Sequence, residues 1–150
     1  MAVQRERPYP GFNFLVDLGT GKTDGAQAGF EEVSFPEVSI ELLDYRAGNE
    51  KENGPRKLTT IEHSTNLILK RGAIGSLDLY QWWNDVRSGN QNALRTVTIQ
   101  LQNEDHTAVV LTWKFLRARP AKLRFSNLEA QTKNVLVEYL EIAFERMEME

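Results

Sequence analysis

Hydrophobic and polar residues alternate in several separate segments of the chain, which is the pattern of half-buried β-strands. The clearest segment is residues 12–18, where Phe12, Phe14, Val16 and Leu18 are separated by Asn13 and Asp17. Further strands are predicted at residues 38–43, 58–71, 97–101, 109–115 and 134–144, with a short strand or irregular segment ending at Phe125. Residues 103–106 favour a turn, so the strands on either side of them form a predicted hairpin.

One segment has the period of an amphipathic helix instead. Four large apolar residues recur there at i, i+3, i+4 and i+7, namely Leu79, Trp82, Trp83 and Val86. Ser76 is the predicted N-cap and Gly89 the predicted C-terminal stop. The four side chains are predicted to pack against the sheet, and the alternative is a ligand platform formed by the two tryptophans.

Residues 46–57 form a predicted long exposed loop. The segment has no apolar residue larger than alanine and is rich in Gly, Asn and Pro. Loops of this length in a compact domain are often functional. In an assembly its mixed charges could set the register between subunits. The candidate interface residues are Arg46, Asn49, Glu50, Lys51, Glu52, Asn53, Arg56 and Lys57.

These elements predict one mainly β domain over residues 1–150, a sandwich or barrel of six to seven strands with one amphipathic helix. Residues 67–69, 109–111 and 135–137 are apolar on both strand faces, as in strands that are covered on both sides. One helix cannot cover that much sheet. Either the sandwich is closed or neighbouring subunits supply the cover.

Composition narrows the function classes. The chain has 41% hydrophobic and 26% charged residues, typical of a soluble globular domain, and a net charge of −3 disfavours a dedicated nucleic-acid binder. The absence of cysteine excludes disulfides and thiolate chemistry and suits a reducing compartment. The first ten residues lack a signal-peptide core and no apolar run is long enough to span a bilayer. Assembly in a cytoplasm without stable membrane insertion is therefore expected.

Three segments have residues that could carry chemistry. Residues 19–23 copy the end of a phosphate-binding loop, but Val16 occupies the position of its first glycine and no apolar helix follows. Residues 104–106 contain potential metal ligands in a predicted turn, where consecutive residues do not easily converge on one ion. His63 lies in a predicted strand without an identifiable partner. No catalytic constellation emerges, so a non-enzymatic protein is predicted.

Six segments together resemble the tail-tube protein family of contractile-tailed phages and the inner-tube proteins of extracellular contractile injection systems. They follow in order over nearly the whole chain, at residues 10–16, 29–35, 40–48, 67–72, 79–83 and 134–145. The first reads Pro-Gly-Phe-Asn-Phe-Leu-Val and the last Asn-Val-Leu-Val-Glu-Tyr-Leu-Glu-Ile-Ala-Phe-Glu.

The resemblance implies a barrel-like protomer that forms hexameric rings, with the sheets of neighbours joined around a bore and the rings stacked into a tube inside a contractile sheath. It implies that residues 46–57 are an arm reaching an adjacent subunit or ring. The implied partners are further copies of the chain, sheath, baseplate or spike and terminator proteins, and cargo protein or DNA in the lumen. It implies no cofactor and a place in a released phage tail-like particle or virion tail.

Three other functions remain open at this point. A tube-initiating paralogue at the baseplate would cap rather than polymerise, and a ring protein of the type VI secretion kind shares the architecture. A monomeric β-barrel could instead bind a small ligand through the Trp82 and Trp83 face.

Overall fold

The computed structural model describes residues 1–150 as nine strands and one α-helix. The strands are β1 (Phe14–Asp17), β2 (Phe30–Ser34), β3 (Val38–Tyr45), β4 (Arg56–Ser64), β5 (Leu67–Gly72), β6 (Arg95–Gln102), β7 (Val109–Phe125), β8 (Val137–Ala143) and β9 (Arg146–Met149). The helix α1 (Asp78–Arg87) follows β5, and single 3-10 turns occupy Ala26–Ala28 and Gln91–Ala93. The predicted mainly β class with one helix is confirmed. The single α-helix has 10 residues, too few to span a bilayer.

The long strand β7 is shared by two antiparallel sheets. Sheet 1 consists of β1, β6, β7 and β9, whereas sheet 2 consists of β7, β8, β5 and β2. Register shifts at Phe115–Ala118 and Pro120–Lys122 bend β7 from one sheet into the other, and Arg117 adopts a φ of 52° at the first of them. The sequence predicted a separate short strand or irregular segment ending at Phe125, whereas β7 continues through Pro120 to Phe125, because a bulge accommodates a residue that has no N–H to donate.

The core lies between the two sheets, and α1 closes one end of it. Its most deeply buried residues come from six elements and include Val16, Leu67, Leu69, Trp82, Val97, Phe115, Leu140 and Ile142. The indole N–H of Trp82 donates to the carbonyl oxygen of Ala93 at 2.7 Å. The barrel is not closed, since β1 and β2 end the strand order without pairing. The ring of Phe35 packs on Trp113 at that seam, with 4.7 Å between centroids.

A hairpin of β3 and β4, here called the arm, stands apart from this body. The sequence pattern predicted one strand from Leu58 to about Arg71, but β4 ends at Ser64 and β5 begins at Leu67. The backbone N–H of Glu37 donates to Oγ1 of Thr65 at 2.8 Å, and the N–H of Thr65 donates to the carbonyl of Glu37 at 3.0 Å. These bonds close the base of the arm and separate the two strands.

Two short strands were not predicted, β2 and β9, because five- and four-residue segments carry too few alternations to stand out. The start of α1 also differs by one residue. Leu77 precedes the first helical residue, and the hydroxyl of Ser76 donates to a carboxylate oxygen of Asp78 at 2.9 Å. Gly89 follows the helix with a φ of 83°, as expected for the residue that terminates it.

Candidate subunit interface

The arm exposes apolar side chains along its whole length. Every residue of β3 and β4 is exposed, and the large apolar ones are Val38, Ile40, Leu42, Leu43, Tyr45, Leu58 and Ile61. A two-stranded hairpin is marginally stable in water on its own, and an exposed apolar surface of this kind marks an interaction site. The arm is therefore the leading candidate for a contact with another molecule.

The tip of the arm is an ordered turn centred on Arg46. Its guanidinium donates to the carbonyl oxygens of Glu50 and Glu52, both at 2.9 Å, and to Oδ1 of Asn53 at 3.5 Å. The predicted loop is two residues shorter than expected, because Arg56 and Lys57 already belong to β4.

Ion pairs extend this order into the strands of the arm. Arg56 pairs with Glu50 at 3.0 Å, and Lys57 pairs with Asp44 on the facing strand at 2.5 Å. The side chains of Asn49 and Lys51 form no hydrogen bond and no ion pair within the chain. Residues 46–57 contain four basic and two acidic residues, a net charge of +2, so the rest of the chain carries −5.

Sheet 2 has two open edges on opposite sides. Strand β2 pairs with β5 alone, and β6 accompanies β7 only as far as Ala118. From Arg119 to Phe125 one edge of β7 therefore has no neighbouring strand. Open edges offer unpaired backbone groups for pairing with another chain.

The outward face of sheet 2 is uncovered and charged. Tyr139 lies at its centre, with the guanidinium of Arg124 3.9 Å and the ammonium of Lys70 5.8 Å from its ring centroid. Lys70 also pairs with Glu31 at 2.9 Å, and this hydrogen bond raises the pKa of Lys70. Ile68 lies on this face and is exposed, so no part of the chain covers both sides of residues 67–69.

The four predicted core positions of α1 divide into two groups. Leu79 and Trp82 are buried, and Val86 packs partly buried against the core. Trp83 is half-buried and lies between Tyr80, 6.3 Å away between ring centroids, and the guanidinium of Arg87 at 4.5 Å. The two tryptophans therefore do not form one platform.

The segments that resembled chemical motifs serve local structure. Oδ1 of Asp17 accepts the N–H groups of Gly19 at 2.9 Å and Gly21 at 3.0 Å, which shapes the glycine-rich loop without a following α-helix. Glu104 pairs with Arg5 at 2.6 Å in the β6–β7 turn. His63 lies in the arm, 3.0 Å from a carboxylate of Glu41. No group of three or more acidic or histidine side chains is arranged to hold a metal ion.

A buried arginine was missed by the sequence reasoning. Arg71 is 1% exposed and donates to Glu138 at 2.7 Å, to both carboxylate oxygens of Asp78 and to the carbonyl of Gln27. The available signal was its alternation with Leu67 and Leu69, which places it on the inward face of β5. Burial opposes the charge of both Arg71 and Asp78. Hydrogen bonds and opposite charges, including Glu138 beside Arg71 and Ser76 beside Asp78, together outweigh burial, so the pKa of Arg71 is raised and that of Asp78 is lowered.

Several solved structures share this fold. The chain superimposes on a component of the PVC sheath-tube complex of an extracellular contractile injection system in the extended state, with a TM-score of 0.82 and 27% identity over 97% of this chain and 93% of that chain. A component of the six-fold symmetrised anti-feeding prophage baseplate matches with a TM-score of 0.77 and 24% identity over 97% of both chains.

A more distant match shows the fold alone. Hcp1 from Flavobacterium johnsoniae superimposes with a TM-score of 0.54 and 19% identity over 92% of this chain and 94% of that chain. No curated protein sequence matches the chain.

The family assignment comes from the sequence model described as T4-like virus tail tube protein gp19. It matches residues 10–148, which include the helix, the whole arm and every strand except the last residue of β9. The chain belongs to this tail tube protein family.

Proposed function

We propose that the chain is the structural protomer of the inner tube of a contractile injection system or contractile phage tail. Six copies form a ring, and the rings stack into a conduit for cargo inside a contractile sheath. The observation that carries this proposal is the pair of open edges on opposite sides of sheet 2, joined to an arm that nothing in the chain covers.

The two open edges differ from each other, and this favours a closed ring. An interface between the β2 edge of one copy and the β7 edge of the next is heterologous, and such interfaces generate rings when the rotation closes. The family resemblance and the six-fold symmetry of the related baseplate support six copies. Joining the four strands of sheet 2 around such a ring gives a barrel of about 24 strands, more than the 16–18 strands that already leave a channel in porins.

The covered side of sheet 2 decides which face lines the bore. Sheet 1 and α1 cover its inner face, and this bulk fits only on the outside of a closed ring of sheets. The uncovered face with Lys70, Arg124 and Tyr139 therefore lines the conduit. Paired charges on this face, including Lys70 with Glu31 and Lys122 with Glu141 at 3.7 Å, moderate its attraction for cargo.

The proposed role is structural and has no catalytic step. Partners would be sheath, baseplate or spike and terminator proteins, with cargo protein or DNA in the bore. The tube would be assembled in the cytoplasm and carried in a released tail-like particle. The site residues at the tip of the arm, from Arg46 to Lys57, would contact an adjacent subunit or ring.

A ligand-binding barrel is less well supported. The cavity beside α1 measures about 230 Å³, below the 300–1,000 Å³ of ordinary ligand sites, and Trp83 does not line it. The tube initiator and the type VI secretion-like ring protein share the ring, and they differ from the proposed tube protomer in whether rings polymerise.

Negative-stain electron microscopy across a concentration series tests the proposal. We expect rings with a central channel at low concentration and tubes at high concentration. Particles that stay monomeric at every concentration would contradict the proposal, and rings that never stack would favour an initiator. A thermal shift with ATP and Mg²⁺ checks the enzymatic alternative, and we expect no stabilisation.

A further inference from the structure

A second exposed apolar surface lies at the start of α1. Ile74, Leu77 and Tyr80 are 48%, 62% and 46% exposed, and we call them the α1 patch. Leu77 and Tyr80 are three residues apart and lie on the opposite side of the helix from Leu79 and Trp82, which face the core. The solvent face of a surface helix is normally polar, so an exposed apolar patch on it indicates a site of contact with another molecule.

The α1 patch and the arm lie at opposite ends of sheet 2. Strand β5 begins at Leu67, beside the base of the arm, and ends at Gly72, immediately before the α1 patch. Within one copy the two surfaces cannot meet along this sheet. In a stack of rings of one polarity, however, the arm end of each ring faces the α1 end of the next.

The outer half of the arm has an apolar face that fits this patch. Leu43 and Leu58 lie directly opposite each other in the register, and Tyr45 follows on the same face. Asp44 and Lys57 form an ion pair on the other face. Leu42 lies on the same face as this ion pair, so the two faces differ mainly in charge, and the face with Leu43, Tyr45 and Leu58 carries fewer charges.

Charge also favours a second copy of the chain as the partner. The arm tip carries +2 on a chain whose remainder carries −5. A basic tip attached to an acidic body suits head-to-tail contacts between identical copies.

We propose that the α1 patch is the acceptor for the Leu43, Tyr45 and Leu58 face of the arm from a copy in the adjacent ring. The inference rests on the proposed tube function and assigns a partner surface to the arm. Ring closure through sheet 2 and ring stacking through the arm are then separate contacts. They can be removed one at a time.

Chemical crosslinking can test the pairing directly, because the chain contains no cysteine. A double variant with Leu58→Cys and Leu77→Cys would be assembled into tubes and treated with a short bis-maleimide. Since the two positions lie at opposite ends of each copy, an adjacent-ring contact links copies into a ladder on a denaturing gel. The matched control combines Leu58→Cys with Glu37→Cys, an exposed position at the base of the arm, so both cysteines lie at the arm end. A ladder that does not exceed that of the control would overturn the inference.

A second variant separates this inference from the proposed function. Leu77→Asp should preserve rings and the unfolding midpoint while reducing the mean tube length at least tenfold. Tubes of wild-type length would contradict the acceptor role of the patch. Failure of the unmodified chain to form any ring would instead contradict the tube function itself.

Discussion

Arg71, near the end of β5, and Asp78, in the first turn of α1, form a bidentate ion pair with N–O distances of 2.9 and 3.1 Å. The same guanidinium holds the buried carboxylate of Glu138 on β8. The position of α1, and with it the position of the α1 patch, therefore depends on one arginine.

Replacing this arginine should strongly destabilise the fold. Arg71→Met keeps much of the side-chain volume but leaves Glu138 as a buried carboxylate without its donor, and we expect a loss of about 3–5 kcal/mol in the free energy of unfolding. The matched control is Lys122→Ala, which removes an exposed pair and should change stability by under about 1 kcal/mol. Urea denaturation of the dispersed protomer measures both. Equal midpoints for the two variants would refute the structural role of Arg71.

Acid should weaken the same connection. The pKa of Asp78 is lowered in the folded chain, because hydrogen bonds from Arg71 and Ser76 outweigh the opposing effect of burial. A lowered folded pKa contributes stability that is present above the unfolded value of about 3.9 and is lost as the pH falls below it. The difference in urea midpoint between the wild type and Asp78→Asn should therefore be constant from pH 7 to pH 5 and shrink below about pH 4. A difference that grows on acidification would contradict this assignment.

The two neighbouring tryptophans should respond differently to substitution. Trp82→Phe removes the donor to the carbonyl of Ala93 and leaves space in the core, so we expect a loss of about 1–3 kcal/mol. Trp83→Phe alters a surface contact with Arg87 and should cost under about 1 kcal/mol. Thermal unfolding compares them. Intrinsic fluorescence provides a second check, because loss of the buried indole should remove the blue-shifted component of the emission.

The tip of the arm should affect assembly and leave folding intact. Replacing Glu50, Lys51 and Glu52 by Gly and Ser removes side-chain charge from the turn that Arg46 organises through backbone carbonyls. We expect shorter tubes by electron microscopy and an unchanged unfolding midpoint for the protomer. The control replaces Glu129 and Lys133, exposed charges outside the arm, in the same way. Undiminished tube length in the tip variant would exclude the tip from the interface.

Sequence periodicity predicted the long elements well, because alternation over many residues is a reliable sign of one buried face. The β6–β7 hairpin and α1 follow this rule. Periodicity could not separate β4 from β5, since the break depends on hydrogen bonds between Glu37 and Thr65 that are 28 residues apart. Periodicity also could not distinguish a strand of the two sheets from a strand of the arm, because both contain regularly spaced apolar side chains.

The exposed segment was located from the sequence, but its extent was underestimated, and its role as an interface stays a prediction. Charge and breaker residues identified the tip at residues 46–57, whereas the structure shows an exposed hairpin from Val38 to Ser64. The apolar residues Ile40 and Leu43 suggested a half-buried strand, and in a single chain they are exposed. Apolar alternation predicts that a side chain is buried, but it does not distinguish burial within one chain from burial against another molecule.

The shared strand β7 has a consequence for the timing of assembly during synthesis. Its second half pairs with β8, whose Leu140 and Ile142 are fully buried, so the core cannot close until nearly the whole chain has left the ribosome. The arm pairs only with itself, and because a two-stranded hairpin is marginally stable alone, its base is fixed only when β5 joins the sheet. Sheet 2 also supplies both open edges, so under the proposed function a chain can enter a ring only after its synthesis is nearly complete.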